Sequence, residues 1–308
     1  MPIGRLAPSP TGVLHLGNAR SFLLAWLSVR TRGGTVLLRI EDIDGPRVRP
    51  ECTAATLDDL AWLGLTTDGD PLLQSTRLAH YAHAVSELLD AGLAYPCVCS
   101  RREIEEAGSA PHESWQDAAP YPGTCRDRYG SIAEARRQSG RDPAVRFRVT
   151  TDAVPFHDVY RGAEPGLVRG DFVIQKRDGA PAYQLAVVVD DAASGITEVL
   201  RGDDLLASTP RQLLLYRALG LQEPQFVHVP LLVGADGRRL AKRHGDTSLR
   251  TFRGRGVTAP QLIGYLAQLS GLRPTAAACS AADLLVGFSL ARVPREPAVP
   301  RAPWLPGD

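Results

Sequence analysis

The first thirty residues of this chain set its fold class. Ile3 to Ala7 has the apolar character of a short strand, and Ala19 to Arg30 carries Phe22, Leu23, Trp26, Leu27 and Arg30 at helical spacing. Between them runs Ser9-Pro10-Thr11-Gly12-Val13-Leu14-His15-Leu16-Gly17. The start of such a helix exposes free N–H groups and the positive end of its dipole, which suit a phosphate. Gly12 and Gly17 let a ligand approach the backbone closely. Asn18 is expected to cap the first turn, and His15 to donate a hydrogen bond to a phosphate oxygen. A His before a Gly in a loop also fits a plain surface residue. Seated between a strand and a helix, the stretch predicts a cradle for ATP.

The segments that follow extend the pattern. Thr35 to Ile40 is a strand candidate; Pro50 to Leu63 and Leu78 to Leu89 are helix candidates. This order favours a parallel sheet with helices on both faces, and a ligand beyond the carboxyl ends of its strands. Arg101 to Gly140 is polar, rich in Gly and Pro, and reads as an insertion. Strands are expected again at Ala144 to Val149, Asp171 to Gln175 and Ala182 to Val189, with Arg177-Asp178-Gly179 turning between the last two. Pro210 to Leu219 and Pro260 to Leu269 read as helices, Phe226 to Val233 as extended, and Val293 to Asp308 as a loose tail.

Composition narrows the class. With 308 residues, 44% of them hydrophobic and 22% charged, the chain reads as one large or two smaller globular domains. A net charge of +1 advertises no global nucleic-acid field, so any RNA contact must come from local patches. No apolar run is long enough to span a bilayer and no signal peptide opens the chain, which makes a cytoplasmic location, with no membrane partner, the expectation. Five Cys in such a chain do not suggest a disulfide framework.

Four groups of residues carry chemistry. Arg39-Ile40-Glu41-Asp42-Ile43-Asp44 puts acids at a strand's carboxyl end, which is either a ligand crevice or a solvated turn. Arg201, in Glu198-Val199-Leu200-Arg201-Gly202-Asp203-Asp204, can clamp a carboxylate with two parallel hydrogen bonds, and the Tyr183 hydroxyl can second it. Lys242, one of only two lysines with Lys176, is a candidate mobile cation. Cys97-Val98-Cys99 and Cys125 have zinc-ligand chemistry, and a metal can replace the core this segment lacks. Free thiols are the alternative reading; ligand preference alone would make His112 the fourth ligand. Cys52 and Cys279 are expected to be unligated.

The first stretch resembles the "HIGH" signature of class I aminoacyl-tRNA synthetases, and Arg5-Leu6-Ala7-Pro8-Ser9-Pro10-Thr11-Gly12 resembles their glutamyl/glutaminyl branch. Far downstream, Arg239-Leu240-Ala241-Lys242-Arg243 resembles the second, "KMSKS" signature, with Ala241 in place of the usual Ser and Arg239 in place of the first Lys. The segment around Glu41 is similar to "RIEDTD", with Ile43 where many members have Thr. Those around Tyr183 and Arg201 are similar to "YxLAxVVDD" and "VxRGxDL". Asp59-Leu60-Ala61-Trp62-Leu63-Gly64-Leu65 and Gln74-Ser75-Thr76-Arg77 also fit this branch.

The resemblance implies a Rossmann-type α/β fold with an inserted, zinc-bearing acceptor-type subdomain, a short helical C-terminal region and no anticodon-binding domain. On that plan residues 1–95 and 186–240 are halves of the catalytic domain and 96–185 the inserted subdomain. The signature loop and a helical stem-contact region would occupy 241–292, and a loose tail 293–308. It implies catalytic roles for His15 and Lys242. Glutamate would contact Arg5, Ala7, Ser9, Glu41, Tyr183 and Arg201, with Glu41 on the amino group and Arg5, Tyr183 and Arg201 on the γ-carboxylate. ATP, with Mg²⁺ on its phosphates, would contact Pro10, Thr11, Gly12, His15, Gly17, Asn18, Leu240 and Lys242. One structural zinc would sit on Cys97, Cys99, Tyr121 and Cys125. Because the chain stops soon after Lys242, it looks like the shortened branch whose members, read as monomers, activate L-glutamate with ATP and pass it to queuosine in the anticodon of tRNA(Asp). The alternatives are a small discriminating glutamyl-tRNA synthetase charging the 3′ end of tRNA(Glu), and a catalytically silent tRNA-binding paralogue.

Overall fold

In a computed structural model, residues 1–43, 48–107, 121–238, 240 and 247–301 are described. The strand β1 (Ile3–Leu6) lies parallel to β2 (Thr35–Ile40), which pairs in parallel with the short β3 (Leu72–Leu73). The helix α1 (Leu16–Arg30) crosses from β1 to β2. It approaches so closely that a Cβ on Gly4 would lie 2.5 Å from Val29 Cγ2. Helices α2 (Pro50–Trp62) and α3 (Leu78–Asp90) follow. Apart from β3, which the sequence reading does not include, these elements lie where their pattern places them.

The chain then leaves the parallel strands. β4 (Ala94–Cys97), β5 (Ala144–Phe147) and β8 (Phe172–Gln175) form an antiparallel sheet. Between them lie α4 (Arg101–Ala107), α5 (Ile132–Ser139) and a hairpin of β6 (Phe156–Asp158) and β7 (Gly162–Glu164). The parallel arrangement resumes with β9 (Glu198–Gly202) beside β10 (Gln225–Val229). The two parallel groups meet at β1 and β9, where the Thr197 N–H donates to Ile3 O at 2.8 Å. Two strand groups far apart in sequence thereby present their carboxyl ends to one crevice.

Three expectations are corrected. Ala182 to Val189 is not a strand: Tyr183–Ala193 is the helix α6. Leu185, Ala186, Val187, Val188, Asp190 and Asp191 are all buried on it, so it is apolar nearly all round and its period is masked. The turn at 177–179 exists, but its return arm is a single bridge from Gln175 to Pro181, where the proline can donate no ladder bond. Asn18 is not the cap of α1. His15 is the N-cap residue: its Nδ1 accepts from the Gly17 N–H at 3.2 Å, while Asn18 Oδ1 accepts from the His15 N–H at 3.3 Å. The tail is not loose through its described part. Val293 is buried, and the Val233 N–H donates to Ala298 O at 3.0 Å. Residues 302–308 lie outside the described residues.

The remaining helices are α7 (Thr209–Ala218), α8 (Leu249–Gly254) and α9 (Ala259–Leu269). One core packs Leu23, Leu24 and Leu27 of α1 among Leu6, Leu38, Val227 and Val229 of the strands. A second joins Tyr81, Val85 and Leu88 of α3 to Leu185 and Val188 of α6 and to Phe147 and Ile174 of the antiparallel sheet. No helix among the described residues is long and apolar enough to cross a membrane.

Candidate active site

At the carboxyl ends of β1, β2 and β9 lies a cavity of about 500 Å³. Its walls include Arg5, Ala7, Ser9, Glu41, Tyr183 and Arg201, the complete set expected to touch an amino acid. Thr11, Gly12, His15, Gly17, Asn18 and Leu240, expected to touch ATP, line the same space. Pro10 does not; it is buried behind the wall, and its carbonyl accepts from the Arg49 N–H at 3.2 Å. Lys242, with Arg239, Ala241 and Arg243, lies outside the described residues, as does Asp44.

The flanks of that segment are anchored at the cavity on both sides. Leu240 is part of its lining. On the other side, the Leu16 N–H donates to Thr247 O at 3.0 Å and the Leu249 N–H to Leu14 O at 2.9 Å, making an antiparallel bridge between His15 and Ser248. The first signature stretch is therefore tied through backbone hydrogen bonds to residues 247–249, which follow the second. Because His15 Nδ1 is an acceptor, the neutral ring carries its proton on Nε2.

Charge in the cavity is arranged by buried partners. Asp191, on α6, accepts from Arg5 Nε at 3.3 Å and from Arg39 Nη1. Arg39 Nη2 in turn donates to Glu41 Oε1 at 3.0 Å, and Ser9 Oγ donates to Glu41 Oε2 at 3.2 Å. Burial alone would raise the Asp191 carboxyl, but Arg39 and Arg5 outweigh it and hold it below the usual range. Glu41 is thus fixed by two donors on a wall it shares with Arg5 and Arg201. Burial pushes the Tyr183 phenol up, so it stays a neutral donor.

Arg201 is 5% exposed. Its Nη2 donates to Gln212 Oε1 at 2.8 Å and Thr209 Oγ1 at 3.0 Å, and its Nε to His228 Nε2 at 3.0 Å. Its Nη1 is buried and has no hydrogen-bond partner among the described residues. A buried guanidinium with one unused arm is a receptor for a carboxylate oxygen. His228 and its neighbour Asp158 were not identified from the sequence. The sole signal was a His inside the apolar run Phe226-Val227-His228-Val229.

A second cluster lies on the antiparallel sheet. The Sγ atoms of Cys97, Cys99 and Cys125 lie within 4.8 Å of one another. Tyr121 Oη is 3.3 Å from Cys97 Sγ and 3.5 Å from Cys99 Sγ, so Tyr121 converges on the same point. Tetrahedral Zn–S bonds of about 2.3 Å place sulfurs roughly 3.8 Å apart; here Cys99 and Cys125 Sγ are 3.4 Å apart and all three sulfurs lie within 4.8 Å. Burial pushes the Cys99 thiol up to about 12. His112 lies outside the described residues. Cys52 and Cys279 are buried free thiols away from this group.

Comparison with known proteins agrees with this geometry. The family described as tRNA synthetases class I (E and Q), catalytic domain, matches residues 3–285. A protein of Symbiobacterium thermophilum named glutamyl-Q tRNA(Asp) synthetase is 47% identical over 96% of this chain and 95% of its own length. A glutamate–tRNA ligase 2 of Halorhodospira halophila is 43% identical over 86% of this chain but only 56% of its own length. The crystal structure of a glutamate tRNA ligase from Elizabethkingia meningosepticum, in complex with its amino acid, superposes with a TM-score of 0.83 over 98% of this chain and 68% of that one, at 28% identity.

Proposed function

This chain belongs to the class I tRNA synthetases of the E and Q branch, and within them to the glutamyl-Q tRNA(Asp) synthetases; on that premise we propose how its residues carry out the reaction. The enzyme activates L-glutamate with ATP and transfers the glutamyl group to queuosine in the anticodon of tRNA(Asp). In the first step a glutamate α-carboxylate oxygen attacks the α-phosphorus of ATP and pyrophosphate leaves. The nucleophile is already ionised, so no general base is required. Rate comes from positioning and from stabilising charge on the phosphate oxygens. His15 Nε2–H and the Lys242 ammonium supply that stabilisation. Mg²⁺ arriving with ATP would supply further neutralisation of the phosphate charge. In the second step a hydroxyl of the queuosine cyclopentenediol attacks the glutamyl carbonyl carbon, and AMP leaves.

One observation carries the residue assignment. A single cavity brings the fixed carboxylate of Glu41 together with the unfilled guanidinium arm of Arg201, and places both beside the His15 turn. Glu41 receives the substrate ammonium; Arg201, Arg5 and Tyr183 receive the γ-carboxylate. A neutral glutamine side chain would leave the Arg201 charge buried without a counter-ion, which is how the pocket discriminates. The four residues Cys97, Cys99, Cys125 and Tyr121 hold a structural zinc that takes no part in either step. The division of the chain at 95, 185, 240 and 292 follows the same family plan.

The test is direct. Purified protein should catalyse glutamate-dependent ATP–pyrophosphate exchange without tRNA, and should label queuosine-containing tRNA(Asp) with glutamate. Label on the 3′ end of tRNA(Glu) instead would assign it to ordinary charging. No exchange at all would remove the catalytic reading.

A further inference from the structure

Arg201 is aimed from behind by a buried relay. The Arg201 Nε–H has only a proton to give, so His228 Nε2, 3.0 Å away, must accept. The imidazole proton therefore sits on Nδ1, which faces Asp158 Oδ2 at 2.7 Å. Asp158 is held in turn by the backbone N–H groups of Tyr160 at 3.0 Å, Arg161 at 2.8 Å and His228 at 3.1 Å. Both Asp158 and His228 are fully buried, and the imidazole stacks on Phe226 with ring centroids 6.1 Å apart. Three strands meet in this contact: β6 brings Asp158, β9 brings Arg201 and β10 brings His228.

We propose that Asp158 and His228 are positioning residues for glutamate recognition: Asp158 fixes the Nδ1–H tautomer of His228, and His228 then holds Arg201 with its Nη1 arm presented to the substrate γ-carboxylate. The proposal rests on the reading of Arg201 given above. Neither residue lines the cavity, so neither touches glutamate. A neutral imidazole is what the site requires. A second cation beside Arg201 would repel it, and a proton on Nε2 would oppose two donors. Burial, with Arg201 and Arg161 nearby, lowers the His228 affinity for a second proton. Thr209 Oγ1, 3.2 Å from His228 Nε2, completes the ring of polar contacts.

The experiment compares three substitutions by glutamate-dependent ATP–pyrophosphate exchange, with KM for glutamate, KM for ATP and kcat measured separately. His228→Asn keeps a donor for Asp158 but loses the acceptor for Arg201. Asp158→Asn leaves the imidazole in place, but its new amide donor faces Nδ1 and drives the ring to the opposite tautomer. His228→Gln restores an acceptor near the position of Nε2. The first two should raise the glutamate KM about tenfold or more, the size of a lost hydrogen bond to a charged group. The ATP KM should stay within about twofold, and His228→Gln should recover a large part of the loss. A merely structural role would move kcat, both KM values and the melting temperature together, with no recovery by Gln. Unchanged glutamate KM in folded His228→Asn and Asp158→Asn would overturn the relay. Arg201→Ala, run alongside, separates the two ideas: if it too leaves the glutamate KM unmoved, the assignment of the pocket fails; if it alone raises it, only the relay fails. Should His228→Asn not fold, Asp158→Asn carries the test, since it retains every ring contact in the core.

Discussion

The cavity and the cysteine cluster solve the same problem, holding reactive polar groups inside the protein, in opposite ways. Around the cavity most buried charges have a protein counter-charge. Arg5 and Arg39 share Asp191, Glu41 leans on Arg39, and Arg77 pairs with Asp190 at 2.6 Å. The site is built before any ligand arrives, and Arg201, whose described hydrogen-bond partners are all uncharged, keeps its Nη1 in reserve. In the cysteine cluster the chain brings three sulfurs and a phenol together. A guanidinium faces them: Arg146, whose Nε lies 3.3 Å from Cys97 Sγ and which stacks on the Tyr121 ring at 3.8 Å. That cluster is a group of ligand atoms that could hold a metal ion. The cavity is preorganised for a transient guest; the cluster, on the zinc reading proposed above, is arranged for a permanent one.

If that contrast is right, damage should separate cleanly. The largest effect belongs to Lys242→Ala. Removing one preorganised donor to the phosphates should lower pyrophosphate exchange about 100- to 1000-fold, roughly 3–4 kcal/mol. Glutamate binding, followed by intrinsic fluorescence or calorimetry, should survive. An exchange rate close to wild type would remove the lysine from the mechanism. Arg201→Ala should strike the other substrate: glutamate affinity falls by about 100-fold as a charge-assisted pair is lost, with ATP affinity retained.

Metal removal tests the other half. Metal analysis should find about one zinc per chain. Chelation, or Cys125→Ser, should strip hydrogen-exchange protection from β4, β5 and the helix α5, because the core among the described residues there is small: Tyr95, Cys97, Val98, Tyr121, Cys125, Tyr129 and Ala135, with Cys99 and Ile104 against it. Glutamate-dependent exchange should persist at a reduced level, because no cavity residue comes from that cluster. Loss of all exchange on chelation, with the fold retained, would join the two sites that the contrast keeps apart.

The line between legible and hidden follows the same contrast. His15, Glu41, Tyr183 and Arg201 were readable because each sits in a short local pattern with a distinct chemical task. The cysteines were readable because thiols in a polar, core-poor segment have few other uses. What stayed hidden depends on partners remote in sequence. His228 and Asp158 are 70 residues apart, and no local spacing joins them. Arg39 and Asp191, 152 apart, were in view, but their pairing was not. The helix α6 was misread because burial on all faces erases the period that distinguishes helix from strand. The segment from 293 to 301 was called loose for its Pro and Ala, yet Tyr160 Oη donates to Pro294 O at 2.7 Å and pins it.

A smaller effect comes from pH. The His228 pKa is lowered below its ordinary 6.5, chiefly by burial. The unfolded chain therefore takes up a proton first, and stability is lost as pH falls below about 6.5 toward the folded pKa. Asp158 and Asp191 are held below their ordinary 3.8 against the opposing effect of burial. Their contribution is present above that value and lost as pH falls through the folded pKa values. Melting temperature should thus decline in two stages on acidification. His228→Gln should erase the first and leave the second.

The smallest effect sharpens what makes the cavity network matter. Arg136 and Asp142 form an ion pair at 2.7 Å, as short as many in the cavity, but their side chains are 64% and 61% exposed. Water already solvates both, so Asp142→Asn should change stability by about 0–1 kcal/mol and fade further in high salt. Asp191→Asn removes the same charge from a site 1% exposed, and leaves Arg5 and Arg39 buried against a neutral amide. Breaking a buried pair from one side costs about 3–5 kcal/mol. Chemical denaturation of the two variants in parallel measures the difference. If Asp142→Asn were the more damaging, burial would not be what gives the cavity charges their weight, and the contrast between a prebuilt pocket and a metal-dependent cluster would lose its physical basis.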